Sequence, residues 1–178
     1  MLADFIIKSA FLLYNFCKKV NNIVRRVNKM SANIELLDYI YQNSEMGTNT
    51  ISQLMEINKS EEFNKHLEAQ WDEYKSINDE AKRLLNESGI NEKGISSFDK
   101  IKTYLMVNMQ TLTDASVSHI AEMLIIGSNM GVIDAIKKID EYKGSAEKEV
   151  IDLMDRLKVF EENNVQRLKR YLVVDNTK

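Results

Sequence analysis

Apolar residues recur every three or four positions along four long segments of the chain, the spacing of helices that bury one face. The segments are predicted as helix 1 over about 31–57, helix 2 over about 61–87, helix 3 over about 116–142 and helix 4 over about 146–172. A shorter helix is predicted over about 97–113. Ser31, Ser60 and Ser145 are candidate N-caps, because a serine oxygen can accept from the free N–H groups of a first turn.

The connections between these segments predict how the helices are arranged. The links from helix 1 to 2 and from helix 3 to 4 are short, so each pair should form an antiparallel hairpin. The connection over about 88–115 is long enough to travel the whole length of a bundle. We therefore expect an all-α, ferritin-like four-helix bundle of two hairpins joined by a crossover that contains a short helix. A plain up-down bundle of five helices is the alternative.

Residues 1–29 form a basic amphipathic segment ahead of the bundle domain at 30–178. The segment carries a net charge of +5, which leaves −8 on the remainder. Its apolar positions at helical spacing are Phe5, Leu12, Phe16, Val20, Ile23 and Val27. The segment is too short and too interrupted to cross a bilayer. It is expected either to lie on an anionic membrane surface or to dock onto the bundle or a second subunit.

A third interpretation is that this segment is absent from the natural protein. The codons of Arg25 and Arg26 can supply a ribosome-binding sequence, and three residues separate Arg26 from Met30. Translation would then start at Met30, with Ser31 as the N-cap of helix 1.

Composition narrows the class of protein further. The 178 residues include no proline and only six glycines, which favours long helices over the many tight turns of sheet proteins. The one cysteine, Cys17, excludes an intramolecular disulfide and a cysteine-based zinc site. A body with a charge of −8 is a poor match for nucleic acid, so no nucleic-acid partner is expected. We expect a cytoplasmic protein.

Several polar side chains interrupt the apolar stripes at nearly the same height in the bundle. This predicted core polar layer consists of Ser44, Thr48, Gln70, Glu161 and Asn164. Glu161 is the one ionisable side chain in this predicted layer. A buried carboxylate must be paired, hydrogen-bonded, metal-bound or protonated. The preferred interpretation is a hydrogen-bonded layer that fixes helix register.

The alternative is a divalent metal site in this layer. Ferritin-like proteins hold two metal ions with glutamates and with Glu-x-x-His pairs at mid-bundle. The candidate ligands here are Glu45, Glu73, Glu122 and Glu161. Neither His66 nor His119 is placed to contribute, so the oxygen ligands would favour magnesium, manganese or calcium over redox iron.

Helix 3 is apolar on more than one face, which is typical of a helix that is either central in the bundle or covered by a partner. We expect a homodimer formed through this helix. Gly127 and Gly131 within it have the Gly-x-x-x-Gly spacing that allows close helix packing.

A resemblance supports the fold. It rests on the stretches EMGTNTISQL, EAQWDEYKSINDEAKRLL and SHIAEMLIIGSNMGVIDAIKK. Residues 31–172 resemble an uncharacterised bacterial family of small ferritin-like bundles, which implies the fold and supplies no mechanism. With no phosphate-binding loop, catalytic triad or nucleotide fingerprint in the sequence, we expect neither catalytic residues nor a cofactor. The expected function is a non-enzymatic structural or interaction protein with a degenerate metal layer. Metal storage or oxidation, and membrane tethering through residues 1–29, are the alternatives.

Overall fold

The computed structural model describes residues 2–89 and 115–172, with side chains over 15–89 and 115–172. These residues form α1 (Leu2–Ile57), α2 (Glu61–Glu87), α3 (Val117–Tyr142) and α4 (Lys148–Leu168), followed by a 3-10 turn at Lys169–Tyr171. No strand occurs within these ranges, so the prediction of an all-α bundle is confirmed. The predicted helix over 97–113 lies outside the described residues.

The first helix, α1, is much longer than predicted, with 56 residues in one uninterrupted helix. The predicted helix 31–57 is its C-terminal half, and the predicted boundary between 1–29 and 30–178 falls inside it. Ser31 is therefore a residue within the helix and not an N-cap. Every residue from 15 to 31 is exposed, whereas Ala32 begins the buried face. We call residues 15–31 the arm.

Serine caps begin two of the other helices. The Ser60 hydroxyl accepts from the Phe63 N–H at 3.3 Å, as predicted for α2, and Ser116 caps α3 in the same way. The predicted cap Ser145 is wrong. Its N–H donates to the Tyr142 carbonyl in a turn, and α4 begins at Lys148 with Glu147 at the cap position.

The helices form two antiparallel hairpins, α1 with α2 and α3 with α4. At one end of the bundle Phe63 of α2 packs on Tyr171, which follows α4. At the other end Arg83 of α2 contacts Glu149 of α4 at 3.1 Å. Helices α2 and α4 are therefore antiparallel, and α2 and α3 run parallel. Both predicted topologies give these directions, because they differ only in the connection over about 88–115.

The core lies between the four helices and is mainly aliphatic. Its largest fully buried side chains are Leu36, Leu37, Ile40, Ile51, Leu54, Phe63, Leu67, Ile77, Leu85, Ile120, Met123 and Met154. Removing this apolar surface from water is the dominant favourable term in folding. Against this background the buried polar side chains stand out.

Candidate functional sites: a buried carboxylate and an exposed arm

Glu161 lies in the middle of α4 and is 3% exposed. The Tyr74 hydroxyl of α2 donates to its Oε1 at 2.7 Å. The Ser128 hydroxyl of α3 also interacts with this carboxylate. Its Oε2 has no hydrogen-bond partner among the described residues. The carboxylate is thus buried with fewer hydrogen bonds than its two oxygens can accept.

Burial shifts the ionisation of both partners in the same direction. Desolvation raises the pKa of Glu161 to about 7, and hydrogen bonds from Ser128 and Tyr74 lower it only in part. Burial also raises the pKa of Tyr74 well above its ordinary value, and the adjacent carboxylate adds to the effect. At neutral pH Tyr74 is therefore a neutral donor, and Glu161 is poised between its protonated and ionised forms.

A small cavity adjoins this carboxylate. The centre of a water molecule could occupy a volume of about 20 Å³ in this cavity. The cavity therefore has space for one or two molecules of that size. Its polar lining consists of Asn43, Thr50, Tyr74, Ser128 and Glu161, and its apolar lining includes Met46, Ile51 and Leu124. All four helices therefore contribute to one partly polar cavity.

The position of Tyr74 depends on Gly47, which the sequence interpretation missed. A Cβ on Gly47 would lie 2.7 Å from three atoms of the Tyr74 ring, closer than real Cβ contacts. The ring also packs edge-on against Phe160 at a centroid distance of 4.7 Å. A glycine inside a helix costs about 0.5–1 kcal/mol relative to alanine, so its place in mid-helix was the available signal.

The members of the predicted polar layer do not form one connected hydrogen-bond network among the described contacts. Ser44 is buried, donates to the Ile40 carbonyl at 2.7 Å and accepts from Asn78 at 3.1 Å. Thr48 is only partly buried and donates to the carbonyl of Glu45 in its own helix. Neither residue hydrogen-bonds to Glu161 among the described contacts.

The other two members are Gln70 of α2 and Asn164 of α4, toward the end of the bundle where α2 begins and α4 ends. Gln70 is buried, and its amide nitrogen lies 2.9 Å from Nε2 of His66. Burial, with two nearby arginines, lowers the pKa of His66 to about 4, so the ring is neutral and can accept this bond. Asn164 is fully buried, and neither polar atom of its side chain has a partner among the described residues.

The predicted metal ligands are not brought together. Glu45 is exposed and accepts from Tyr41 in its own helix at 3.1 Å. Glu73 pairs with Arg156 of α4 at 2.8 Å on the outer seam of the bundle, and Glu122 is exposed. Only Glu161 of the four faces the interior. Within residues 15–89 and 115–172, no three His, Cys, Asp or Glu side chains form a group that could hold a metal ion.

Helix α3 buries both predicted glycines. Gly127 lines the cavity, and a Cβ on Gly131 would make ordinary contacts of 3.5–3.7 Å with Asn43 and Glu161. The tighter contact is at Gly47, and close helix packing through Gly127 and Gly131 stays a prediction. Part of the outer face of α3 stays apolar and exposed, at Ile126, Ile133 and Ile136. The homodimer through this face stays a prediction.

The same helix is the one described segment long and apolar enough to cross a membrane. In that apolar stretch 44% of the residues are buried inside the bundle. A core helix of a bundle passes the same test of length and composition.

The second candidate site is the arm. Its exposed apolar side chains, apart from Val24, are spaced by four and three residues along one helix face: Phe16, Val20, Ile23, Val27 and Met30. Its charged side chains are all basic, and they are Lys18, Lys19, Arg25, Arg26 and Lys29. The arm is an amphipathic helix whose apolar face the described bundle leaves open.

Comparison of the chain with protein-family models, with curated proteins and with solved structures finds no match.

Proposed function

We propose that this protein is a non-enzymatic interaction protein built on a ferritin-like bundle, and that the arm attaches it to an anionic membrane surface. The ferritin-like part of the proposal agrees with the two antiparallel hairpins and the parallel α2 and α3, and it rests on the length of the connection over about 88–115, since an up-down bundle of five helices gives the same directions. The attachment is supported by the exposure of every arm residue in a helix continuous with the bundle.

The apolar face of the arm supplies the first part of the attraction. Phe16 is 65% exposed and Val27 is 61% exposed, so each leaves most of its surface in water. Burying such a side chain fully is worth about 1.5–3 kcal/mol, and an interfacial helix buries this face at the boundary between headgroups and acyl chains. Five such side chains in one stripe form a contiguous surface rather than scattered exposed residues.

The charge of the arm supplies the second part. It has five basic and no acidic side chains, and one of the five, Lys29, pairs with Glu147 at 3.3 Å. Each basic side chain near an anionic leaflet contributes about 1 kcal/mol. The other four would therefore contribute about 4 kcal/mol, roughly a thousandfold in affinity. The acidic bundle would be repelled by the same surface, which favours attachment by the arm alone.

Vesicle co-sedimentation tests the proposal with a matched pair of variants. Ile23 in the arm and Ile133 on α3 are both 52% exposed, so aspartate replaces an equally exposed isoleucine at either position. The full chain should bind vesicles containing phosphatidylserine and not vesicles of phosphatidylcholine alone, and salt should weaken the binding. Ile23→Asp should reduce binding at least tenfold, and Ile133→Asp should leave it unchanged.

Two results would overturn the proposal. One is an equal reduction by both variants, which would place the effect outside the arm. The other is no binding to anionic vesicles. In that case, a dimer in sedimentation analysis that is lost in Ile23→Asp would show that the arm binds a second copy of the chain.

A further inference from the structure

The cavity beside Glu161 has the features of a small-cation site. Oε2 of this glutamate is buried, lacks a hydrogen-bond partner among the described residues, and belongs to a residue that lines the cavity. An unpartnered buried polar atom costs free energy, and an unpaired buried charge costs much more. The site therefore favours an occupant that brings positive charge or a proton to this oxygen.

The other polar groups of the lining are neutral and oxygen-bearing. They are the side chains of Asn43, Thr50, Tyr74 and Ser128. Neutral oxygens together with one carboxylate form a hard donor set, which suits alkali and alkaline-earth cations rather than soft metals. No lysine, arginine or histidine is among the residues that line the cavity.

We propose that this cavity binds one monovalent alkali cation of about the size of water, such as K⁺, in exchange for the proton of Glu161. The charge count selects a monovalent ion, because a divalent ion beside a single carboxylate would leave one buried positive charge uncompensated. The space fits as well, since the cavity holds one or two spheres of water size.

The groups around Glu161 reinforce this charge count. The ionisable groups facing it are Tyr74 from α2 and Tyr39 from α1, and burial keeps both phenols protonated at neutral pH. Asp134 on α3 adds negative charge near Tyr39. Among the described residues, no positively charged side chain is one of the groups that shift the pKa of Glu161. A proton or a bound cation is then the available source of neutralisation.

Thermal unfolding in two chloride salts tests the exchange. The full chain is compared in potassium chloride and in tetramethylammonium chloride of equal ionic strength, because the large organic cation cannot enter the cavity. At about pH 8, K⁺ at ten times its Kd should raise the Tm by about 3–6 °C. At about pH 5 the proton occupies the carboxylate, so the difference between the salts should disappear.

Glu161→Gln should abolish the salt difference, and Glu162→Gln should retain it, because Glu162 is the exposed neighbour on the same helix. Addition of K⁺ to the wild type in weak buffer near pH 7 should also release protons, and this readout needs no variant. Equal Tm values in the two salts at about pH 8 would overturn the proposal. A difference that persists in Glu161→Gln would overturn it too.

Discussion

Replacing Glu161 by glutamine should stabilise the protein at high pH and have little effect at low pH. The carboxyl has a pKa of about 7 in the folded protein against an ordinary value of 4.5. Between these values the unfolded chain has released its proton while the folded chain still holds it. Folding then binds a proton, so stability contributed by this group falls as pH rises from 4.5 to 7 and is constant above.

The magnitude follows from the size of the shift. Each pH unit of difference is worth about 1.36 kcal/mol, so burial of Glu161 costs about 3 kcal/mol above pH 7. Glutamine has nearly the same shape, keeps an oxygen that can accept from Tyr74, and carries no charge. We therefore expect Glu161→Gln to gain up to about 3 kcal/mol at pH 8 and less than about 1 kcal/mol near pH 4.5.

Urea unfolding measured by circular dichroism at several pH values checks this expectation. The buffers should contain tetramethylammonium as the cation, so that an alkali ion does not offset the cost of the charge. Glu162→Gln is the control, because its carboxylate is exposed and its loss should shift the midpoint very little. A wild type whose stability is constant between pH 5 and 8, or a glutamine variant less stable than the wild type at pH 8, would refute the reasoning.

Three further outcomes are expected. Gly47→Ala should destabilise the protein by about 1–3 kcal/mol in urea unfolding because its Cβ would displace the Tyr74 ring, whereas Gly131→Ala should be neutral or stabilising. Burial lowers the pKa of His66 to about 4, so the unfolded state binds the extra proton first and stability should fall as pH drops from 6.5 to 4. His66→Gln should remove this slope, and a slope that survives would assign it to other groups. Finally, the proposed attachment requires the arm in the natural protein, so mass spectrometry of its tryptic digest should detect the peptide 9–18. A natural start at Met30 would give no such peptide and would remove the proposed attachment.

The position of α2 was predictable because it depends on local spacing, whereas the start of α1 was not, since the predicted N-cap Ser31 lies inside a continuous helix. The periodicity of apolar residues gave 61–87 for α2, and the helix is Glu61–Glu87. The directions of side chains were less predictable, because neighbouring helices decide them. Glu73 was placed near the polar layer by its height along α2, yet Arg156 of α4 pairs with it on the outer surface. Counting residues along one helix predicts well how far along the bundle a side chain lies. It predicts poorly which neighbouring helix that side chain faces.

The site residues show the same limit. Glu161 was identifiable because a carboxylate interrupts an apolar stripe of its own helix. Its partners Tyr74 and Ser128 come from two other helices, and the glycine that makes room for the tyrosine comes from a third. Such contacts depend on register between helices, which no single stripe specifies.

The choice of glutamate over glutamine at position 161 argues against a purely architectural layer. A layer that only fixed helix register would work with an uncharged side chain, as buried asparagines do in coiled coils. The carboxylate instead costs about 3 kcal/mol at neutral to alkaline pH, a large part of the 5–15 kcal/mol by which domains are stable. Glutamine can neither exchange a proton at this pH nor carry a negative charge, and a bound cation that replaces the proton would use both properties of the glutamate. Stability measured with and without K⁺ therefore asks directly why this residue is acidic.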